Sequence, residues 1–382
     1  MSSTGNSRTT KTKQRIIDSG VELFSRQWYE AVSVAEICRH CGMSNGVFYR
    51  YFPNKEALFR EIVEGFLDLD EKRLTDIPGD SAYERLNYFY SLILKSNNQD
   101  SAYISVYREG EYRYPEYGRR LRDIYLHAVK TIFSRPVSEA EYLYLVGSPR
   151  FIICRLFFRE QAVTAQELME IVRQGPFKDP GEWSPACLDV TPPPEPDAGR
   201  NADTRTRLLL AGKELIATQG YHTVNVYEVA RKAGYAVGTF YIHFESKEDF
   251  FVEVVRFLNR GLRSYIAKNL DPALSRFEQE LQGYLLFLRY FQDQIHNYQI
   301  VREAEFVVKE AAREYYDKFE SGYIRNLKDL KIDNPVLVGN FLIGIAHHLG
   351  IECYFSKNID DPAGTIKEIG RLLYQGMEID AP

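Results

Sequence analysis

Two short stretches carry side chains suited to gripping an acidic polymer. In the first, Gly42 precedes Ser44, Asn45, Val47, Tyr49 and Arg50, and Lys55 follows. An asparagine can pair with adenine through two hydrogen bonds, an arginine reaches guanine or phosphate, and a tyrosine hydroxyl or an ammonium meets phosphate. In the second, Gly234 precedes Ala236, Val237, Thr239, Tyr241 and Ile242, and Lys247 follows. The frame is the same but polar groups are fewer; Val237 offers only apolar contact, for instance to a thymine methyl. There is no Gly-rich phosphate loop, no H-E-x-x-H and no G-x-S-x-G, so catalysis is not expected.

Other candidates have simpler explanations. Cys38-Arg39-His40-Cys41 has a spacing used for zinc or redox work. The second stretch places Ala230 and Ala233 where the cysteines stand, and small core side chains explain both copies. No metal or cofactor is expected. His347-His348, on an apolar segment, reads as packing or as polarity facing a ligand. The tyrosines between Tyr103 and Tyr125 either line a pocket for a flat ligand or pack between helices. Pro115 and Pro149 are expected to kink or end helices.

The elements that must position these residues follow from local patterning. Ile16, Ile17, Gly20, Leu23 and Phe24 recur at helical spacing. A second helix opens at Ser33-Val34-Ala35-Glu36, a capping box echoed by Asn225-Val226-Tyr227-Glu228, and stops at Gly42 or Gly234. A turn and a very short helix, Ser44 to Tyr49, come next, then a helix opening at Asn54 or Ser246. Lys55 and Lys247 directly follow those caps, where an ammonium and helix-end N–H groups can share a phosphate. Helix, glycine turn, short helix is the helix-turn-helix arrangement, whose second helix enters the major groove. Phe48/Phe240 and Phe52/Phe244 fill the core face, which leaves Tyr49 and Tyr241 beside it and toward phosphate.

The two stretches belong to a duplication. Shifting the chain by 192 residues aligns Thr12–Phe59 with Thr204–Phe251 without a gap, and 19 of those 48 positions are identical. Echoes continue downstream: Arg108-Glu109-Gly110-Glu111-Tyr112 with Arg302-Glu303-Ala304-Glu305-Phe306, Val146-Gly147 and Phe157-Phe158 with Ile343-Gly344 and Tyr354-Phe355, Gln174-Gly175 with Gln375-Gly376. The offset drifts to 201, as when loops change length and helices persist. Between the copies, Gly175–Asp203 holds seven of the sixteen prolines, including Pro192-Pro193-Pro194. Such a linker spans up to about 90 Å at ~3.1 Å per residue, so reach does not limit packing.

Totals agree. At 382 residues the chain exceeds one ordinary core, and 45% hydrophobic with 26% charged residues reads as globular. Five irregularly spaced cysteines fit a reducing cytoplasm better than a disulfide framework. Residues 1–13 lack the apolar core of a signal peptide, and Pro335 to Phe355 contains Asn340, two histidines and Glu352, so a buried helix is favoured over a membrane span. The net charge is −5, yet residues 1–55 hold eight Lys/Arg against four Asp/Glu and residues 200–247 seven against four. Two basic patches on an acidic body point to phosphate contact at two places.

Gly42-Met43-Ser44-Asn45-Gly46-Val47-Phe48-Tyr49-Arg50-Tyr51-Phe52-Pro53-Asn54-Lys55-Glu56 resembles the signature of the TetR family, and Gly234 through Glu248 does so almost as well. The resemblance implies an all-α protein of tandem units, each a three-helix helix-turn-helix head on a larger helical ligand-sensing body. It implies heads at 9–69 and 201–261, bodies at 70–174 and 262–382, and a Pro-rich linker at 175–200. By position Ser33, Ser44, Asn45, Val47, Tyr49, Arg50 and Lys55 would face DNA, as would Asn225, Ala236, Val237, Thr239, Tyr241 and Lys247. The implied partners are double-stranded operator DNA and a small-molecule effector of a cytoplasmic repressor. The family's two identical chains become here an expected intramolecular pseudo-dimer, with further oligomerisation open. Two alternatives stand: only the first head reads sequence, or the chain is a ligand- or protein-binding module without DNA binding.

Overall fold

The computed structural model describes residues 3–157, 163–178, 183–191, 202–292, 294–328, 330, 332 and 334–379. All regular structure among them is helical. Pro192-Pro193-Pro194 and Phe158 lie outside the described residues. The chain divides into two compact units, Met1–Val137 with Ala162–Ala165 and Asp380–Pro382, and Ser138–Gln161 with Gln166–Ile379.

The first unit opens with α1 (Ser3–Arg26), α2 (Val34–His40), α3 (Asn45–Phe48) and α4 (Lys55–Leu74). Ser33 Oγ accepts the Glu36 N–H at 3.1 Å and Asn54 Oδ1 the Ala57 N–H at 2.8 Å, so each helix starts on a satisfied donor. Gly42 ends α2 at φ 66°, a conformation that costs a side-chain-bearing residue. The capping box at Ser33 is only half built, because Glu36 instead takes the Gln27 side-chain amide at 3.1 Å. Ile16, Phe24, Ile37, Phe48, Phe52, Leu58 and Phe59 form the buried core of this head.

A body follows in the same unit: α5 (Ala82–Gln99), α6 (Ser101–Arg113) and α7 (Pro115–Phe133). Helix α6 packs on both α1 and α4. Gly110 permits the approach, since a Cβ there would stand 2.7 Å from Val63. Pro115 opens α7 rather than kinking it, at the position where a missing N–H costs nothing.

The second unit begins with the closing helices of the first repeat: α8 (Glu139–Tyr142), a π-helical turn (Leu143–Gly147), α9 (Ser148–Phe157) and α10 (Ala165–Gln174). Pro149 neither ends nor begins this run; the wider π turn directly before it lets the helix continue past the lost N–H. The second repeat follows whole: α11 (Thr204–Gln219), α12 (Val226–Lys232), α13 (Val237–His243), α14 (Lys247–Asn269), α15 (Arg276–Gln292), α16 (Ile295–Val307), α17 (Lys309–Asn326), α18 (Pro335–Tyr354) and α19 (Pro362–Gln375).

In this unit α9 lies along α18. A Cβ on Gly147 would stand 3.1 Å from His348, and one on Gly344 3.0 Å from Phe151. One shift of 197 residues carries Gly147 to Gly344 and Phe151 to His348. The contact is therefore reciprocal, residue i meeting j′ and j meeting i′, as on a two-fold axis. The ends also exchange bonds, one residue out of register with a single shift: Phe177 N–H donates to Leu373 O at 3.2 Å and Met377 N–H to Val172 O at 2.8 Å. Among the described residues α18 alone is long and apolar enough to cross a membrane, and 72% of that stretch is buried by these neighbours.

Candidate nucleic-acid interface

In the first head Ser44 holds the N-cap position of α3 without a side-chain cap bond, Asn45 opens the helix and Tyr49 closes it. Phe48 is wholly buried and lies tilted against Phe52 with ring centroids 5.7 Å apart, which anchors one face of the short helix. Ser44, Asn45, Tyr49 and Arg50 are exposed on the other side, and Val47 is half-buried. Tyr49 keeps 56% of its surface while its ring edges Phe48 at 5.4 Å, so the hydroxyl is held outward on a fixed base. Ser33 is exposed at the start of α2.

The second head repeats the geometry with a longer α13. Asn225 and Glu228 complete the capping box, with N–H to carboxylate or amide oxygen distances of 3.2 and 2.9 Å. Phe240, Phe244 and Phe250 cluster beneath, with centroids 4.8–5.2 Å apart. Ala236 is exposed and Thr239 half-buried. Val237, Tyr241 and Ile242 retain 40, 58 and 79% of their surface.

Lys55 departs from its expected place. Its ammonium donates to Tyr29 O at 2.7 Å and Val32 O at 2.8 Å, and sits 4.0 Å from the Tyr29 ring centroid. Those carbonyls belong to the first residue of a single 3-10 turn, Tyr29–Ala31, and to the residue that ends it. Burial lowers the pKa of Lys55, with nearby Glu30 opposing. Lys247 does likewise, donating to His222 O at 3.2 Å over the Tyr221 ring at 4.4 Å. An ammonium has three donors, so one remains on Lys55 and two on Lys247 for any phosphate.

The same loop is held from the body. Both carboxylate oxygens of Glu109 lie 3.0 Å from the Tyr29 N–H, and those of Glu303 lie 3.1 and 3.0 Å from the Tyr221 N–H. Arg113 braces the first pair, 2.9 Å from both Glu109 and Glu30. Burial raises the pKa of Glu109 and Arg113 pulls it back. The repeated Arg-Glu motif marked these glutamates in the sequence, but nothing there showed that they clasp a backbone N–H eighty residues away.

A cavity of about 360 Å³ opens in the second body among α14, α15, α16, α17 and α18. Two polar clusters line or adjoin it. In one, Glu280 accepts from Arg276 at 2.8 Å and from the Tyr323 hydroxyl at 2.6 Å. In the other, His347 Nδ1 lies 2.9 Å from the Tyr298 hydroxyl and 3.4 Å from that of Tyr316, which donates to Glu305 at 2.7 Å. His347 thus faces the cavity, whereas His348 is buried with Nδ1 3.1 Å from Gly344 O. In the first body Tyr107, Tyr117 and Tyr125 are buried, with Tyr107 on Phe66 and Tyr125 on Phe89, so these members of the tyrosine tract pack between helices. Cys38 and Cys41 are core residues, and burial raises the pKa of Cys38.

Glycine-ended helix, short exposed helix and capped long helix, twice over, define a helix-turn-helix DNA-binding protein. The model of the family "Bacterial regulatory proteins, tetR family" matches residues 16–62 and 208–254. The HTH-type transcriptional regulator YdgC of Bacillus subtilis, itself uncharacterized, is 27% identical over 190 residues, 47% of this chain and 94% of that protein. The HTH-type transcriptional repressor KstR2 of Rhodococcus jostii is 36% identical over 86 residues, 22% of this chain and 42% of KstR2. Among solved structures, the fatty acid degradation regulator FadR of Bacillus halodurans covers 47% of this chain over its full length (18% identity, TM-score 0.38). A TetR-like transcriptional regulator from Rhodococcus sp. RHA1 covers 46% of this chain and 96% of its own (17% identity, TM-score 0.39). The chain belongs to the TetR family of transcriptional regulators and carries two TetR-type units in tandem.

Proposed function

We propose that this regulator is a cytoplasmic repressor that meets its operator with two non-identical heads of one chain, and that a small molecule in the second body releases it. The observation that carries the reading is the reciprocal contact of Gly147 with His348 and Gly344 with Phe151. Helices ending the first repeat pair with those ending the second, so one chain supplies the pairing that two identical chains would otherwise make. The residues offered to DNA are Ser33, Ser44, Asn45, Val47, Tyr49 and Arg50 in one head and Asn225, Ala236, Val237, Thr239 and Tyr241 in the other. The remaining donors of Lys55 and Lys247 supplement them on phosphate. A gel shift on genomic fragments, including the region around the protein's own gene, tests the reading. One chain per operator fragment is expected; no retarded fragment at low salt overturns it.

A second reading has its own observation. Ala236, Val237 and Ile242 expose no hydrogen-bonding side chain, which favours a second head that grips backbone while the first reads bases. Scrambling the half-site under the second head then leaves affinity unchanged.

A further inference from the structure

The duplication lets each body serve as the reference for the other. A shift of 194 residues relates Glu109 to Glu303, and relates the capped helix starts Ser81/Glu84 and Ser275/Glu278. Under that shift Gly283 stands where the first body has Phe89, and Gly322 where it has Ala128. Phe89 and Ala128 are fully buried, and Phe89 meets Tyr125 at 5.9 Å. Gly283 and Gly322 both line the cavity, and a Cβ on either would meet nothing within 4 Å. The cavity exists where a phenylalanine has been replaced by hydrogen.

Its lining states what would fill it. Phe287, Tyr315 and Phe319 supply aromatic faces. Tyr316 and Tyr323, one from each polar cluster, stand two turns apart on α17, about 10 Å at 1.5 Å per residue. Arg276 Nε is buried without a hydrogen bond, beside the space. Arg263, Lys318 and Arg325 add three positive charges, while the single lining carboxylate among the described residues, Glu280, is already paired with Arg276. Lys318 and Arg325 are exposed at the cavity's rim, so an acidic group there would gain ion pairs that an uncharged ligand forgoes.

We propose that the chain takes one effector, in the second body, and that this effector is a flat aromatic molecule bearing an acidic group. The inference rests on the reading that this body binds a small molecule and names its stoichiometry and chemistry.

The test uses the full chain without DNA and two probes that differ by one sulfonate: 1-anilinonaphthalene-8-sulfonate and N-phenyl-1-naphthylamine. Calorimetry and fluorescence should find one sulfonate probe per chain, bound about tenfold more tightly than the neutral amine. Lys318→Gln with Arg325→Gln should remove most of that difference. Gly283→Phe, which restores the first body's residue, should abolish binding; Ala267→Trp closes the exposed wall and serves if Gly283→Phe does not fold. Two sites per chain, equal affinity for both probes, or unchanged binding in both closed variants overturns the proposal. Operator release is read separately by gel shift. One tight probe with no release supports this assignment and overturns the release reading above.

Discussion

Both carboxylate oxygens of Glu303 accept the backbone N–H of Tyr221, at 3.1 and 3.0 Å, and so fasten α16 of the second body to the loop between α11 and α12 of its head. Tyr298, on the same helix as Glu303, touches His347 of the cavity. One helix therefore joins the cavity to the loop that the ammonium of Lys247 also holds. Hydrogen bonds to charged groups contribute about 1.5–3 kcal/mol, more than neutral ones. Glu303→Ala should lower the unfolding free energy from urea titration by that order and weaken the effect of any effector on operator affinity. Glu303→Gln, which keeps one acceptor, should recover part of both. An unchanged effector response in Glu303→Ala would place coupling elsewhere.

The helix seam should be intolerant of size. A Cβ on Gly147 or on Gly344 would stand about 3 Å from side-chain or backbone atoms of the opposite helix, and overpacking of this kind costs about 1–3 kcal/mol. Gly147→Leu and Gly344→Leu should destabilise comparably, and their double variant should cost less than the two combined, because one disruption opens the shared seam. Gly283→Ala, which faces open space, should gain the ordinary helix preference of alanine and melt no lower than the parent. Urea titrations of the four variants decide it.

Acid should loosen the same seam. His348 is 8% exposed, and burial, with His347, Arg150 and Arg302 adding to it, holds its pKa well below 6.5. In the unfolded chain the imidazole titrates normally, near 6.5. Below that pH the unfolded state takes up a proton that the folded state refuses, so stability is full above about 6.5 and falls as pH drops toward the depressed folded value. The slope approaches about 1.4 kcal/mol per pH unit for one group. His348→Phe, which copies its counterpart Phe151, should flatten the loss between pH 7 and 5 when urea midpoints are compared. An identical slope in both proteins would remove His348 from the account.

The chain should also be a monomer. If α9 and α18 satisfy each other within the chain, light scattering at micromolar concentration should return about 44 kDa, the mass of one chain. A stable dimer would mean that these helices pair between chains instead.

The heads were legible in the sequence because what makes them is local. Ser33, Asn54, Asn225 and Ser246 cap helices through bonds three residues long, and Phe48 and Phe52 share a face by helical spacing. The closing helices were legible through the glycines that recur in both copies. What escaped was non-local. Lys55 satisfies carbonyls 26 and 23 residues back, which no spacing rule foresees. Aromatic density around Tyr103–Tyr125 left pocket lining and helix packing equally open, because aromatic rings fill space as readily as they line it. The usable signal was the exchange of Phe89 for Gly283 between the copies.

The operator should be asymmetric. The first reading helix exposes Asn45, suited to a bidentate pair with adenine, and Arg50, which reaches guanine or phosphate. The second exposes Val237 and Ile242, which can contact a thymine methyl but cannot choose among hydrogen-bonding patterns. Two identical chains select a palindrome because both heads want the same bases; these heads do not. One good bidentate pair is worth about 1–3 kcal/mol of discrimination against the wrong base. Selection from random duplexes should therefore return two half-sites of unequal stringency, the stricter one lost in Asn45→Ala. The tyrosines should act alike on both sides: Tyr49→Phe and Tyr241→Phe each remove one outward hydroxyl, leave stability unchanged, and weaken binding to all sequences equally. A perfect palindrome with equally constrained arms would mean that one kind of head, from two chains, does the reading.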